Sequence, residues 1–254
     1  MTSWANQPAE SVEILLATSL TISHKRFRVC YVTTAEGGEF ASASGVIGRG
    51  LAAGRLRDAI TRGDMAPGQR LVEGELAALF GVTRNGVRLA IDVLVGEGLV
   101  ERVPNRGARV RRVSAAEAVE ITECRMVLEG LIARKAAERI TDEQIHRLRT
   151  HGELLRRSVT NGELLRYSAL IAELHGLLRE SAGQATAAGL VERLQAQIVR
   201  HQFRLSLRPG RPARSLLELE QLIQAVVDRD PDKAEAAARS HLQSVIAALR
   251  AAEY

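Results

Sequence analysis

A chain of 254 residues, 46 % hydrophobic and 26 % charged, has room for a small domain beside a larger one. No run approaches the roughly 20 apolar residues of a membrane-spanning helix, and the two cysteines, Cys30 and Cys124, argue against a disulfide scaffold or a thiolate metal site. The net charge of +5 is unevenly laid. Residues 49–113 carry +5 from 12 Arg and 7 acidic residues, against −1 for residues 1–48 and +1 for 114–254, so a polyanionic partner is expected for the middle segment alone. Aromatic content of 3 % leaves aliphatic cores, which favours packed helices over a sandwich or barrel.

Residues 1–48 read as an N-terminal extension and linker. Ser11–Ile22 suits a short helix, Arg26–Thr34 alternates like a strand, and the Ala/Ser/Gly run from Gly37 to Gly50 reads as a linker. Acidic Glu10 and Glu13, where a secretory leader would be basic, point instead to a cytoplasmic protein. One reading makes the extension the product of an upstream start codon, with Val46 or a neighbour as the true beginning.

A helix is expected over Leu51–Arg62, ended by Gly63, with a Pro67-Gly68 turn before Arg70-Leu71. Leu76, Leu79 and Phe80 mark a short second helix closed by Gly81, whose missing Cβ permits a left-handed helix end. Thr83 can cap a third helix. Val87, Ile91 and Leu94 would face its core while Arg84, Asn85 and Arg88 fall on another side. Leu99–Val103 and Gly107–Val113 then alternate at period two around Pro104-Asn105-Arg106-Gly107, which is hairpin chemistry. Two helices joined by a tight turn, cationic outside and followed by a basic two-stranded ribbon, make a winged helix-turn-helix over residues 49–113.

From Leu56 through GVTRNGVRLAIDVLVGEGLVER to PNRGARV, the chain resembles the DNA-binding domain of GntR-type bacterial transcription regulators. It departs from their pattern at two positions, where Gly86 replaces a Pro and Leu89 a Glu. Glycine there costs about 1 kcal/mol of helix propensity, and the operator of relatives does not transfer. The resemblance implies a sequence-specific regulator, most often a repressor, that binds a palindromic site on double-stranded DNA as a homodimer. Arg84 and Arg88 would reach base edges and phosphates, Thr83 and Asn85 would set the helix on the backbone, and Asn105, Arg106 and Gly107 would approach the minor groove or phosphates.

Ser114 opens an all-helical half, residues 114–254. Ser114-x-x-Glu117 reads as a capping box, and breaks at Thr141-Asp142, Asn161-Gly162, Gly183, Pro209 to Pro212 and Asp230-Pro231 predict six helices. Their expected spans are 114–140, 142–160, 162–182, 184–207, 213–229 and 231–252, with Val119, Val127, Leu128 and Leu131 inward in the first. The fold class is therefore mostly α, a winged helix-turn-helix followed by an antiparallel helical bundle. The run from Glu123 to Leu131, Leu174-His175, Asp228-Arg229-Asp230 and Ser240-His241-Leu242 resemble the FCD ligand-binding domain of the FadR branch of these regulators.

Many FCD domains hold a divalent metal through an Asp or Asn and three His beside a small carboxylate effector. Here two of those positions are His175 and His241, but the others fall on Ile171 and Leu219, so neither metal nor other cofactor is expected. The implied ligand is a small organic acid held by Arg125, His175 and His241. Arg125 reads equally as a carboxylate clamp or as an ion pair with Glu129 one turn on, and the two His as hydrogen-bonded core residues. His201 reads as packing or surface. Two other classes stay open. No nucleophile–base–orienter set supports an enzyme, and an architectural DNA binder with a purely dimerising helical half would show little preference between sites.

Overall fold

The computed structural model describes residues 45–251 together with two dipeptides, Thr21–Ile22 (β1) and Lys25–Arg26 (β2), which pair antiparallel. The helix expected over Ser11–Ile22 therefore ends in extended backbone. The strand expected over Arg26–Thr34 opens on extended Arg26, and the remainder of both lies outside the described residues.

Helix α1 spans Gly45–Arg62 and so begins inside the stretch expected to be linker, before the expected start at Leu51. Each interior glycine costs about 1 kcal/mol of helix propensity, but Ala52, Ala53, Leu56, Ala59 and Ile60 are buried against the rest of the small domain. Tertiary packing outweighs the local breaker signal. Arg70–Leu71 (β3) leads to α2, Glu73–Phe80, the short helix marked by Leu76, Leu79 and Phe80; it buries Leu76 and Phe80 and leaves Leu79 exposed. Gly81 ends α2 in the left-handed conformation at φ 63°. Helix α3, Arg84–Gly96, follows and seats Val87, Ala90, Ile91 and Leu94 in the same core.

The hairpin expected after α3 is present as Val100–Val103 (β4) and Gly107–Val110 (β5), with Val103 opposite Gly107 at the tip and Val100 opposite Val110 at the base. It is not a two-stranded ribbon, however. β3 adds to the other edge of β5, with Arg70 opposite Arg109, giving the order β3-β5-β4.

Six helices complete the described chain: α4 Ala115–Arg139, α5 Asp142–Thr160, α6 Leu164–Ala182, α7 Ala185–Ser206, α8 Arg211–Val227 and α9 Pro231–Arg250. Each lies within about two residues of its expected span. Ser114 caps α4 by accepting from Glu117 N at 3.1 Å, but the expected reciprocal half of that box is not made, because Glu117 turns its carboxylate to Arg111. The complete capping box is at Thr141 and Gln144, heading α5.

Helix α4 runs against α9 and is flanked by α6, α7 and α8. One aliphatic core joins α4, α5, α6, α8 and α9 around Leu148, Leu155, Leu174, Leu219 and Leu222. A second joins α4, α7 and α9 through Ala118, Ile198, Leu242 and Ile246. Val127, expected inward, is exposed on α4. The two halves meet along α7. Gln197 Nε2 donates to Glu97 O at 2.9 Å, His201 Nε2 to Val113 O at 2.9 Å, and Arg200 Nη2 to the carbonyls of Gly63 at 3.2 Å and Met65 at 3.3 Å.

Candidate DNA-reading face and ligand cavity

The reading face is built by one cap. Thr83 stays extended at φ −73° and ψ 154°, and its hydroxyl accepts from Gly86 N at 3.1 Å, which starts α3 at Arg84. With Val87, Ile91 and Leu94 locked inward, the helical period leaves Thr83, Arg84, Asn85 and Arg88 exposed. Arg84 lies beside Gly74 of α2, where an added Cβ would sit 3.6 Å from its Nη2. Arg88 is forked onto Glu73 at the start of α2, with Nη2 at 2.9 Å and Nε at 3.2 Å, and this contact pulls the Glu73 carboxyl below its ordinary pKa. Two further exposed pairs, Arg102–Asp92 and Arg109–Glu101, tie down the wing.

At the wing tip Arg106 N donates to Val103 O at 3.0 Å and closes the turn. Asn105 takes φ 59° and Gly107 φ 82°, so the two residues after Pro104 that leave the β region flank the exposed Arg106. Arg106 has no carboxylate within ion-pair distance among the described residues.

The second candidate site is a cavity of about 710 Å³ in the helical half, within the range that holds a metabolite. Arg125, His175 and His241 all line it, together with Tyr167, Gln202 and Arg211. Arg125 is 1 % exposed and pairs with Glu129, Nη2 to Oε1 at 2.6 Å, so the intrahelical ion pair exists. Its other edge faces Gln202, whose carboxamide, oriented with oxygen toward Arg125, accepts from both Nη atoms. His175 Nδ1 lies 3.3 Å from the free Glu129 oxygen. Burial drives its pKa down to about 4 against the pull of Glu129, so it is neutral near pH 7. Burial would raise the Glu129 carboxyl, but the Arg125 charge leads the opposing effects and its pKa is lowered.

His241 belongs to a parallel set. Its Nδ1 donates to Glu218 Oε2 at 2.9 Å, and Arg211 Nη1 lies 3.1 Å from the same carboxylate. Burial works against the charge on Glu218. Hydrogen bonds from His241 and Ser244, with the Arg211 charge, outweigh it and hold the pKa at about 2. Glu218, Arg211, Gln202 and Tyr167 had no sequence signal of their own. The Tyr167 hydroxyl is the most suggestive of them, buried at the cavity wall with no hydrogen-bond partner among the described residues. His201 does not join the cavity set and is spent on the carbonyl of Val113.

The donor set does not suit the divalent metal that the resemblance brings to mind. Ile171 and Leu219 offer no lone pair, and the Nδ1 atoms of His175 and His241 face two different carboxylates, Glu129 and Glu218. Among the described residues no three His, Cys, Asp or Glu side chains are placed to share a metal. The void between Glu129, His175 and His241 is about 10 Å³, room for one water at most.

Comparison with known proteins bears on both halves. The model of bacterial regulatory proteins of the gntR family matches residues 51–110, and the FCD domain model matches residues 120–244. The HTH-type transcriptional repressor RspR of Escherichia coli is 30 % identical over 195 residues, covering 77 % of this chain and 86 % of its own. The repressor NanR of Cronobacter sakazakii is 29 % identical, covering 77 % and 83 %. Among solved structures, E. coli McbR/YncC superposes with a TM-score of 0.70 at 19 % identity over 82 % of this chain and 99 % of its own, a likeness of fold.

Proposed function

This chain is a DNA-binding transcription regulator of the GntR family with an FCD domain, and from that premise we propose that it represses by binding a palindromic operator as a homodimer and lets go when a small organic acid enters the helical cavity. The two-domain organisation supports this, residues 49–113 as reader and 114–254 as effector-binding and dimerising half. The observation that carries the DNA reading is the exposed cationic start of α3, Arg84 and Arg88, held out by the Thr83 cap beside an exposed wing tip at Asn105, Arg106 and Gly107. Guanidinium forks on guanine edges supply about 1–3 kcal/mol of discrimination each. Wing contacts to phosphate supply affinity without sequence choice. Glu73 holds Arg88 until DNA phosphate or base competes for it.

In the cavity a ligand carboxylate takes the place of the Gln202 carboxamide on Arg125, since it offers the guanidinium a bidentate, oppositely charged acceptor in place of a neutral one. The orphan Tyr167 hydroxyl supplies a second contact, and His175 and His241 close the polar end. This is a chamber for binding and not for turnover, because Arg125 with Glu129, His175 with Glu129, and His241 and Arg211 with Glu218 are paired and leave no base aimed at a substrate. No helix among the described residues is long and apolar enough to cross a membrane, which accords with a cytoplasmic regulator.

Selection of bound fragments from random DNA, followed by footprinting, tests the reading. The expected footprint has two half-sites about one helical turn apart, as a two-fold dimer requires. A single unrepeated half-site removes the homodimer. Equal retention of all fragments favours the architectural alternative. Small carboxylates are then screened for release of the selected fragment, and release should vanish in Arg125→Met.

A further inference from the structure

A second cavity, separate from the one just described, lies where the base of the wing meets α7. Its volume is about 360 Å³, and its lining includes Arg111, Arg112, Arg200, Arg204 and His201 and no acidic residue. Arg111 is accounted for, since its Nη2 is bonded to Glu117. Arg200 spends Nη2 on two backbone carbonyls and gains no negative charge from them. Arg112 and Arg204 have no hydrogen-bond or carboxylate partner among the described residues. Arg112 is exposed, and its guanidinium lies over Gly68, which has a φ of +80° and no Cβ in its way.

Three cations around one cleft repel each other, and no carboxylate lines the cleft to balance them. Arg88, Arg102, Arg109, Arg125 and Arg211, by contrast, each sit against one. DNA does not supply the missing charge here. The cleft takes in Leu99 and Val110 at the hairpin base, and each four-residue strand puts about 10 Å between that base and the tip that faces DNA.

We infer that this cleft is a binding site for a small phosphate-bearing anion, of the diphosphate class, that bridges the wing base and α7. One phosphate monoester brings about −1.5 to −2 charges, so two linked phosphates match three uncompensated guanidinium groups better than one. The volume suits a group of that size or one with a modest organic substituent. Because Arg200 and Arg204 also line the larger cavity, the same turn of α7 touches both sites. The proposal does not depend on the organic acid reading and survives its failure.

The test is calorimetric titration of the full chain with inorganic pyrophosphate at low salt. The native protein binds one equivalent, R112A/R204A binds at least roughly tenfold more weakly, and R106A at the wing tip binds as the native protein does. Circular dichroism confirms that the double variant is folded; if it is not, R112A alone decides, since that exposed side chain lines this cleft and not the larger cavity. Absence of binding by native protein overturns the proposal. So does binding unchanged in R112A/R204A, and so does binding lost in R106A, which would place the anion on the DNA face.

Discussion

The reading face and the ligand cavity use the same chemistry, arginine against carboxylate, at opposite extremes of burial. Arg88 with Glu73 and Arg102 with Asp92 stand in water, where an exposed pair is weak and easily exchanged for a phosphate. Arg125 with Glu129 is sealed in the bundle, 1 % and 9 % exposed, where removing one partner strands the other as a bare charge. The surface pairs are therefore exchangeable, with DNA as the competitor of Glu73 under the proposed function, and the buried pair is part of the fold. That difference sorts the consequences of substitution.

The largest effect is expected on the buried side. Glu129→Ala leaves Arg125 with only the neutral Gln202 carboxamide and removes the partner of His175, so urea denaturation should show a loss of about 3–5 kcal/mol. A loss below about 1 kcal/mol would mean that water already reaches Arg125, and the contrast between the two regions would dissolve. Glu129→Gln, which keeps the volume, separates lost charge from lost packing.

The buried side also makes the protein acid-labile, and the sign follows from the direction of each shift. His175 is held down to about 4 in the folded chain against an ordinary 6.5, so as pH falls from 6.5 toward 4 the unfolded state takes up a proton that the folded state refuses. Stability then declines by up to about 1.4 kcal/mol per pH unit. Glu218, held at about 2, contributes stability that is present above 4.5 and is lost as pH falls from there toward 2. His175→Gln should flatten the upper part of this profile, between 6.5 and 4, and leave the lower part in place. Denaturation midpoints measured across pH decide it, and an unchanged upper slope would remove His175 as the cause.

How far these contrasts could be read from residue order differs between the two regions for physical reasons. Helix ends in the second half were legible because Asp-Pro, Gly and Thr-Asp signals act within a few residues, and the observed breaks fall on them. The third strand, β3, was not, since two residues cannot show an alternation and its pairing with Arg109 closes across 39 positions of chain. The start of α1 was misread because glycine is a local signal and the burial of Ala52 and Leu56 that overrides it is not local. Exposure of Arg84, Asn85 and Arg88 followed from helical period alone. The cavity followed only in part. Arg125, His175 and His241 do line one space, and the Arg125–Glu129 pair follows from one-turn spacing, yet Gln202, the other partner of Arg125, lies far along the chain on α7, and the orphan hydroxyl of Tyr167 is visible only once the walls are assembled.

On the exposed side the effects are smaller and fall on recognition instead of folding. Arg84→Ala should leave the unfolding free energy within about 0.5 kcal/mol of native while reducing the preference for the selected site over random DNA by about 1–3 kcal/mol, roughly fivefold to 150-fold. Arg106→Ala should weaken binding to all sequences alike and lower the salt slope by about one. If the site preference survived Arg84→Ala, α3 would not be the reading helix.

The smallest effect tests the exchange itself. Glu73→Gln removes the carboxylate that holds Arg88 in the free protein, Nη2 to Oε2 at 2.9 Å, without touching Arg88. In the free state Glu73 and DNA compete for the same guanidinium, so removing the competitor should tighten binding by about twofold at low salt. It also removes a negative charge near the polyanion, which acts in the same direction on every sequence. The two contributions separate by comparing the selected site with random DNA. A gain confined to the selected site identifies Arg88 as a base contact released from Glu73, and an equal gain on both assigns Arg88 to phosphate. Weaker binding in Glu73→Gln would instead show that Glu73 positions Arg88 for DNA, so that an exposed ion pair here belongs to the binding geometry and the exchange view of the reading face fails.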